Sequence, residues 1–199
     1  MDFEKIISDL RNRVYRPVYF LMGNEPYFID MVSDYIEKNV LTETEKEFNQ
    51  TILYGGETNI SAVLSIAKQY PMMSNYQVVV VKEAQNMKDL ITKKISSATS
   101  SGSSEKSQKG KSEGGLLAYL ENPQKTTILV FCYKYKPVDM RTSFANSVSK
   151  KAVVLKSDNF RDYQIPKWIE KFVTEKKYFI SPQSIAMLTE YLGTYLGKI

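Results

Sequence analysis

The run QVVVV at residues 77–81 constrains the fold more than any other part of the chain. Four consecutive β-branched apolar side chains leave no face for water, so this strand is covered on both sides, as strands of parallel sheets are. Parallel neighbours need long crossovers, usually helical. The remaining sequence supplies that alternation. PVYFLM (17–22) is a short apolar strand ended by GNEP, and Pro26 opens a helix carrying Phe28, Ile29, Val32, Tyr35, Ile36 and Val40. FNQTILYGG (48–56) reads as a second strand closed by paired glycines, after which Asn59 or Ser61 can cap a short helix bearing Val63, Leu64 and Ile66. KTTILVFCY (125–133) and AVVLK (152–156) are further strands, separated by the helix-like MRTSFANSVSKK. Ahead of them all, Phe3, Ile6, Ile7, Leu10 and Val14 fall on one helical face. The class is α/β with an open parallel sheet.

Two segments break this rhythm. SSATSSGSSEKSQKGKSEGG (96–115) has almost no apolar side chains, cannot offset its ordering entropy, and reads as a flexible insertion between two helices. A passive loop and a phosphorylated regulatory loop both fit that composition. After about residue 158 the pattern is purely helical. Ile165, Trp168, Ile169 and Phe172 share one face, and a second helix has Ser181 as cap, Pro182 at its first position and Gly193 as stop. The expected organisation is an α/β domain over 1–157 and the start of a small helical domain over 158–199. The pattern breaks off at YLGKI, so the sequence reads as a fragment of a longer protein. Trp168 is expected in the core of the helical part rather than as a stacking platform for a base.

Function classes are narrowed by what is missing. The chain has no histidine and a single cysteine. A Ser-His-Asp triad and a Cys/His zinc site are therefore excluded, no metal or cofactor is expected, and an internal disulfide is impossible. Cys132 lies inside a strand and reads as a small core residue. No apolar run approaches the ~20 residues of a membrane helix, and the amphipathic MDFEKIISDLRNR is not a signal peptide. A cytoplasmic protein without membrane contact is expected. The net charge of +5 and pI of about 9.0 are compatible with work near nucleic acid and are also ordinary for a lysine-rich protein.

Strand, glycine turn and helix at the start of the chain invite comparison with the phosphate loop G-x-x-x-x-G-K-[ST]. Gly23 is present, but Asn24, Glu25, Pro26, Tyr27 and Phe28 follow it. Tyr27, Phe28 and Ile29 supply none of the glycine, lysine and hydroxyl that the loop needs. Pro26 removes an N–H, and Glu25 would repel a triphosphate. In VVVVKEA, Lys82 precedes Glu83 where an acidic pair would hold magnesium. Either the turn is a phosphate loop that has degenerated, or it never was one.

A different feature stands just before the central strand. In AKQYPMMSNYQVVVV, Met72 and Met73 occupy a short connection with Gln69, Tyr70 and Pro71 ahead of them and Ser74 and Asn75 behind. A methionine pair beside a buried strand can cap the core, or it can form a surface that adapts to a partner. Arg141, in DMRT, fits a surface contact or a helix-start salt bridge.

Four stretches occur in order: VYFLMGNEPYFID, MMSNYQVVVVKEAQNM, LLAYLENPQKTTILVFCYKYKPVDMRT, and YQIPKWIEKFV followed by ISPQSIAMLTEYLG. Together they resemble the N-terminal part of the delta subunits of bacterial DNA polymerase III, and the resemblance covers nearly all of the chain except the Ser/Gly segment. It implies an AAA+-like α/β domain that has lost nucleotide binding, a helical lid domain, and a helical collar domain absent here. It implies a non-catalytic clamp-loader subunit that binds and helps open the sliding clamp, with other loader subunits as partners and primed DNA met through the complex. The clamp-binding residues it implies are Gln69, Tyr70, Pro71, Met72 and Met73. The family's usual leucine and phenylalanine are replaced by Met72 and Met73. The alternatives are a divergent nucleotide-binding ATPase or kinase and a basic DNA-binding module.

Overall fold

The computed structural model describes residues 2–91, 115–136, 138–193 and 196. In chain order the elements are α1 (Phe3–Arg11), β1 (Val18–Gly23), α2 (Pro26–Asn39), α3 (Glu43–Asn49), β2 (Gln50–Tyr54), α4 (Ile60–Ala67), β3 (Gln77–Lys82), α5 (Gly115–Tyr119), β4 (Thr127–Lys134), α6 (Ser143–Lys151), β5 (Val153–Ser157), α7 (Ile165–Glu175) and α8 (Pro182–Leu192). The strands form one five-stranded sheet in the order β2-β3-β4-β1-β5. Every neighbouring pair is parallel.

The valine run behaves as its composition demands. Val79 and Val81 face one side with Leu129, Phe131, Phe20 and Met22, and are covered by Val63 and Leu64 of α4, Leu116 of α5, and Phe144 and Val148 of α6. Val78 and Val80 face the other side with Ile128, Val130, Tyr19 and Leu21, under Ile6 and Leu10 of α1 and Ile29, Val32 and Ile36 of α2. Each buried apolar side chain of this kind contributes about 1.5–3 kcal/mol, so the two-sided core is the main source of stability. Cys132 is buried within it, and burial pushes its thiol up to about 11.

The second strand begins later than the sequence pattern suggests. Phe48 and Asn49 belong to α3, and the strand covers only Gln50–Tyr54. Thr42 caps α3 with its hydroxyl while Glu45 reaches back to the Thr42 N–H. This reciprocal capping box satisfies the helix's first amides and carries it forward to Asn49. The expected caps Asn59 and Ser181 each accept from a backbone N–H, and Gly193 ends α8. The backbone N–H of Arg141 donates to Asp139 in the turn before α6. The Ser/Gly/Lys-rich stretch lies outside the described residues, apart from Gly115 at the start of α5. No described helix is long and apolar enough to cross a membrane.

The backbone of β5 lies tight against Gly23 of β1. Its φ is +145°, and a Cβ there would stand 1.8 Å from the carbonyl oxygen of Ser157. Backbone cannot yield to such a contact as a side-chain tip can. Gly23→Ala is therefore expected to lower unfolding stability by about 3 kcal/mol or more, read as the shift of the urea midpoint at unchanged m-value.

Candidate functional site

Ligands of open α/β sheets bind beyond the carboxyl ends of the strands, at the crevice where the strand order reverses. In this chain that place is the turn at residues 23–28, and it is filled by its own side chains. Glu25 is only 5% exposed. Its N–H donates to Ser157 O (3.2 Å), Ser157 Oγ donates to Glu25 O (2.7 Å), and its carboxylate accepts from the Tyr27 N–H at 3.0 Å. The carboxylate thus occupies the helix N-terminus that a phosphate would use. Burial pushes the Glu25 carboxyl up, and the Tyr27 N–H opposes that shift.

Aromatic packing closes the turn from outside. Trp168 of α7 stands edge-on to Tyr27 at 5.4 Å and stacks on Phe172 at 5.1 Å. Phe28 meets Phe3 at 4.8 Å and Phe160 at 5.7 Å. Trp168 therefore joins α7 to the start of α2 and is not confined to the interior of the helical part. Lys134 pairs with Asp30, and Lys82 with Glu37 at 3.1 Å, so the lysines at the ends of β4 and β3 are held by carboxylates of α2. The arrangement places a buried acid and aromatic rings where phosphate chemistry needs open N–H groups and a free cation.

The segment at residues 69–73 lies at the opposite, amino-terminal end of the sheet, before β3. It leaves α4 through a Gln69 N–H bond to Ile66 O (3.0 Å) and re-enters the fold where Gln77 N–H donates to Thr126 O at 2.8 Å. Between these anchors Gln69 is exposed, Tyr70 is 78% and Met72 62% exposed, Met73 is fully exposed, and Pro71 is half-buried. The methionines do not cap the core. Met73 has φ +51°, the left-handed conformation rarely taken by a side chain with a Cβ.

A residue that the sequence reading passed over fixes this loop. Asn49, buried at the end of α3, accepts from the Met72 N–H at 2.6 Å and donates to Met72 O at 2.9 Å. Glu45, one turn earlier, accepts from the Thr42 N–H at 2.8 Å, and this bond, with the Ser74 and Thr42 hydroxyls, holds its carboxyl below the usual range. The capping-box spacing Thr42-x-x-Glu45 was the available signal for α3, and it brings both residues to this place. Tyr76 packs edge-on to Tyr15 at 5.2 Å and steadies the far end of the loop.

Comparison with known proteins follows from this geometry. A family model described as DNA polymerase III, delta subunit, matches residues 19–158. The DNA polymerase III subunit delta of Bacillus subtilis (strain 168) is 22% identical over 192 residues, which is 96% of this chain and 52% of that protein. The solved Bacillus subtilis DNA clamp loader delta protein superposes with a TM-score of 0.67 at 18% identity, covering 96% of this chain and 58% of that one. The chain spans about half the length of the curated relative it matches. The structural likeness shows a shared fold, a parallel α/β core followed by helices.

Three outcomes test the site's electrostatics, its strain and the core beside it. Because burial raises the folded-state pKa of Glu25 above its unfolded value, its charged form opposes folding at neutral pH. Glu25→Gln keeps an acceptor for the Tyr27 N–H and is expected to raise the thermal midpoint at pH 7. That gain should vanish once the pH falls below the ordinary carboxylate range. Met73→Gly relieves a left-handed backbone and buries nothing, so stability should stay within about 1 kcal/mol of wild type. Met22→Ala, in the core, should cost about 2–5 kcal/mol in the same denaturation series.

Proposed function

The chain belongs to the DNA polymerase III delta-subunit family, and we propose on that premise that it is a non-catalytic clamp-loader subunit that binds the sliding clamp and helps open it. The observation that carries this reading is the exposed pair Met72 and Met73, presented on a loop tied down at both ends. Among the described residues, neither side chain belongs to the core. Methionine adapts its shape to a groove, and burying both would contribute about 3–5 kcal/mol. Gln69 stands three residues ahead of the pair, Tyr70 offers rim contact, and Pro71 stiffens the approach and reduces the ordering cost.

The filled turn at residues 23–28 supports the non-catalytic part of the proposal. A triphosphate at the start of α2 would have to displace the Glu25 carboxylate and lift Trp168 from Tyr27. Energy for loading would then come from a partner subunit. On this reading residues 1–157 form the AAA+-like domain and 158–199 belong to a lid. Other loader subunits are engaged through a collar domain, primed DNA is met within the complex, and the protein works in the cytoplasm.

Surface plasmon resonance with the sliding clamp of the same organism tests the reading. Wild-type chain should bind at micromolar concentration or better, and Met72→Ala/Met73→Ala, folded by circular dichroism, should lose about two to three decades of affinity. Equal binding by both proteins would move the contact elsewhere. Tight magnesium-dependent binding of a labelled ATP analogue would favour the ATPase or kinase alternative. Clamp-independent binding to primed DNA that falls steeply with salt would favour the DNA-binding one.

A further inference from the structure

The structure assigns a positioning role to α3: Asn49 clips both backbone groups of Met72 so that Met73, the next residue, is held outward for the partner. The inference rests on the clamp-binding reading of residues 69–73 and adds a residue that binds nothing itself. Asn49 and Glu45 are four apart and therefore share one face of the helix. The Asn49 amide is used at both ends. Its oxygen accepts from Met72 N–H, and its nitrogen donates to Met72 O and to Glu45 O at 2.9 and 3.1 Å. Only a side chain with a donor and an acceptor on one planar group can hold both backbone groups of a single residue in this way. Glu45 closes the capping box of α3, its carboxylate accepting from Thr42 N–H and Oγ1, each at 2.8 Å, and so anchors the helix that carries Asn49.

Met73 is the one residue of this group whose side chain is wholly in solvent, and it is also the one with left-handed backbone. Such a conformation persists only where the neighbours over-determine it. The clip supplies that determination on the Met72 side of Met73. A loop free of it would relax to ordinary backbone and would meet its partner only after an ordering cost. The apolar contact and its orientation are thus divided between two elements: Met72 and Met73 make the first, and α3 sets the second.

The test uses the whole chain, its sliding clamp and a double-mutant cycle. Asn49→Ala should speed hydrogen exchange at the Met72 amide by about tenfold or more and weaken clamp binding by about tenfold. Added to Met72→Ala/Met73→Ala, and measured at correspondingly higher clamp concentration, it should cost less than about twofold, because it acts only through the methionines. Asn49→Asp keeps the acceptor for the Met72 N–H, loses the donor to Met72 O and should weaken binding by about threefold. An equal loss in both backgrounds would make Asn49 a general stabiliser, and unchanged affinity in both Asn49→Ala and Asn49→Asp would overturn the clip. A wild-type chain that ignores the clamp sinks the clamp reading, and with it the partner of this inference. The exchange rate of the Met72 amide then decides by itself whether α3 holds the loop.

Discussion

A parallel sheet covered on both faces leaves its connections only two places to go, and the rest of this molecule follows from that. Val78 to Val81 are fully buried between α1 and α2 on one side and α4, α5 and α6 on the other. Loops are therefore confined to the two ends of the sheet. At the carboxyl end lies the turn at residues 23–28, and at the amino end, before β3, the methionine loop. The two cannot share a ligand, and in this chain only the second is open.

The closed end and the open end are built by opposite means. At the first, backbone approaches backbone at Gly23, the Glu25 carboxylate takes up the amide that a phosphate would need, and aromatic rings from α7 seal the outside. At the second, large apolar side chains are kept away from the core. Left-handed backbone at a non-glycine residue costs on the order of 1–3 kcal/mol, and the exposed methionines contribute little to folding. A cost carried at one loop and offset by hydrogen bonds from a buried asparagine is the pattern of a prepared binding element. On the proposed function, the sliding clamp is the partner that this element meets.

The sequence pattern located the strands within a few residues: β1, β3 and β4 are buried on both faces and read as short apolar runs, while the half-exposed edge strand β2 was marked by its β-branched residues and the paired glycines that close it. The turn at residues 23–28 was also legible, since proline, glutamate and aromatic residues are chemically wrong for a phosphate loop. What could not be read was tertiary. Nothing local says that Glu25 would turn its carboxylate onto its own helix, or that Trp168 would cross to Tyr27 rather than pack only among its neighbours. The helix α3 was missed because Phe48 and Asn49 merge into the following strand pattern, although Thr42 and Glu45 carried a local helix signal. With α3 unseen, Asn49 had no reason to stand out. Its partner Met72 is twenty-three residues away in sequence.

The central claim is that Met72 and Met73 are the contact surface while the buried Met22 and Met87 serve the fold. Selective carbon-13 labelling of methionine methyl groups distinguishes the two directly, because the chain has eight methionines, of which Met22 and Met87 are buried. On titration with the sliding clamp, the Met72 and Met73 methyl resonances should shift or broaden at substoichiometric clamp, and those of Met22 and Met87 should stay in place. Shifts confined to other methionines, or none at all at saturating clamp, would contradict the account.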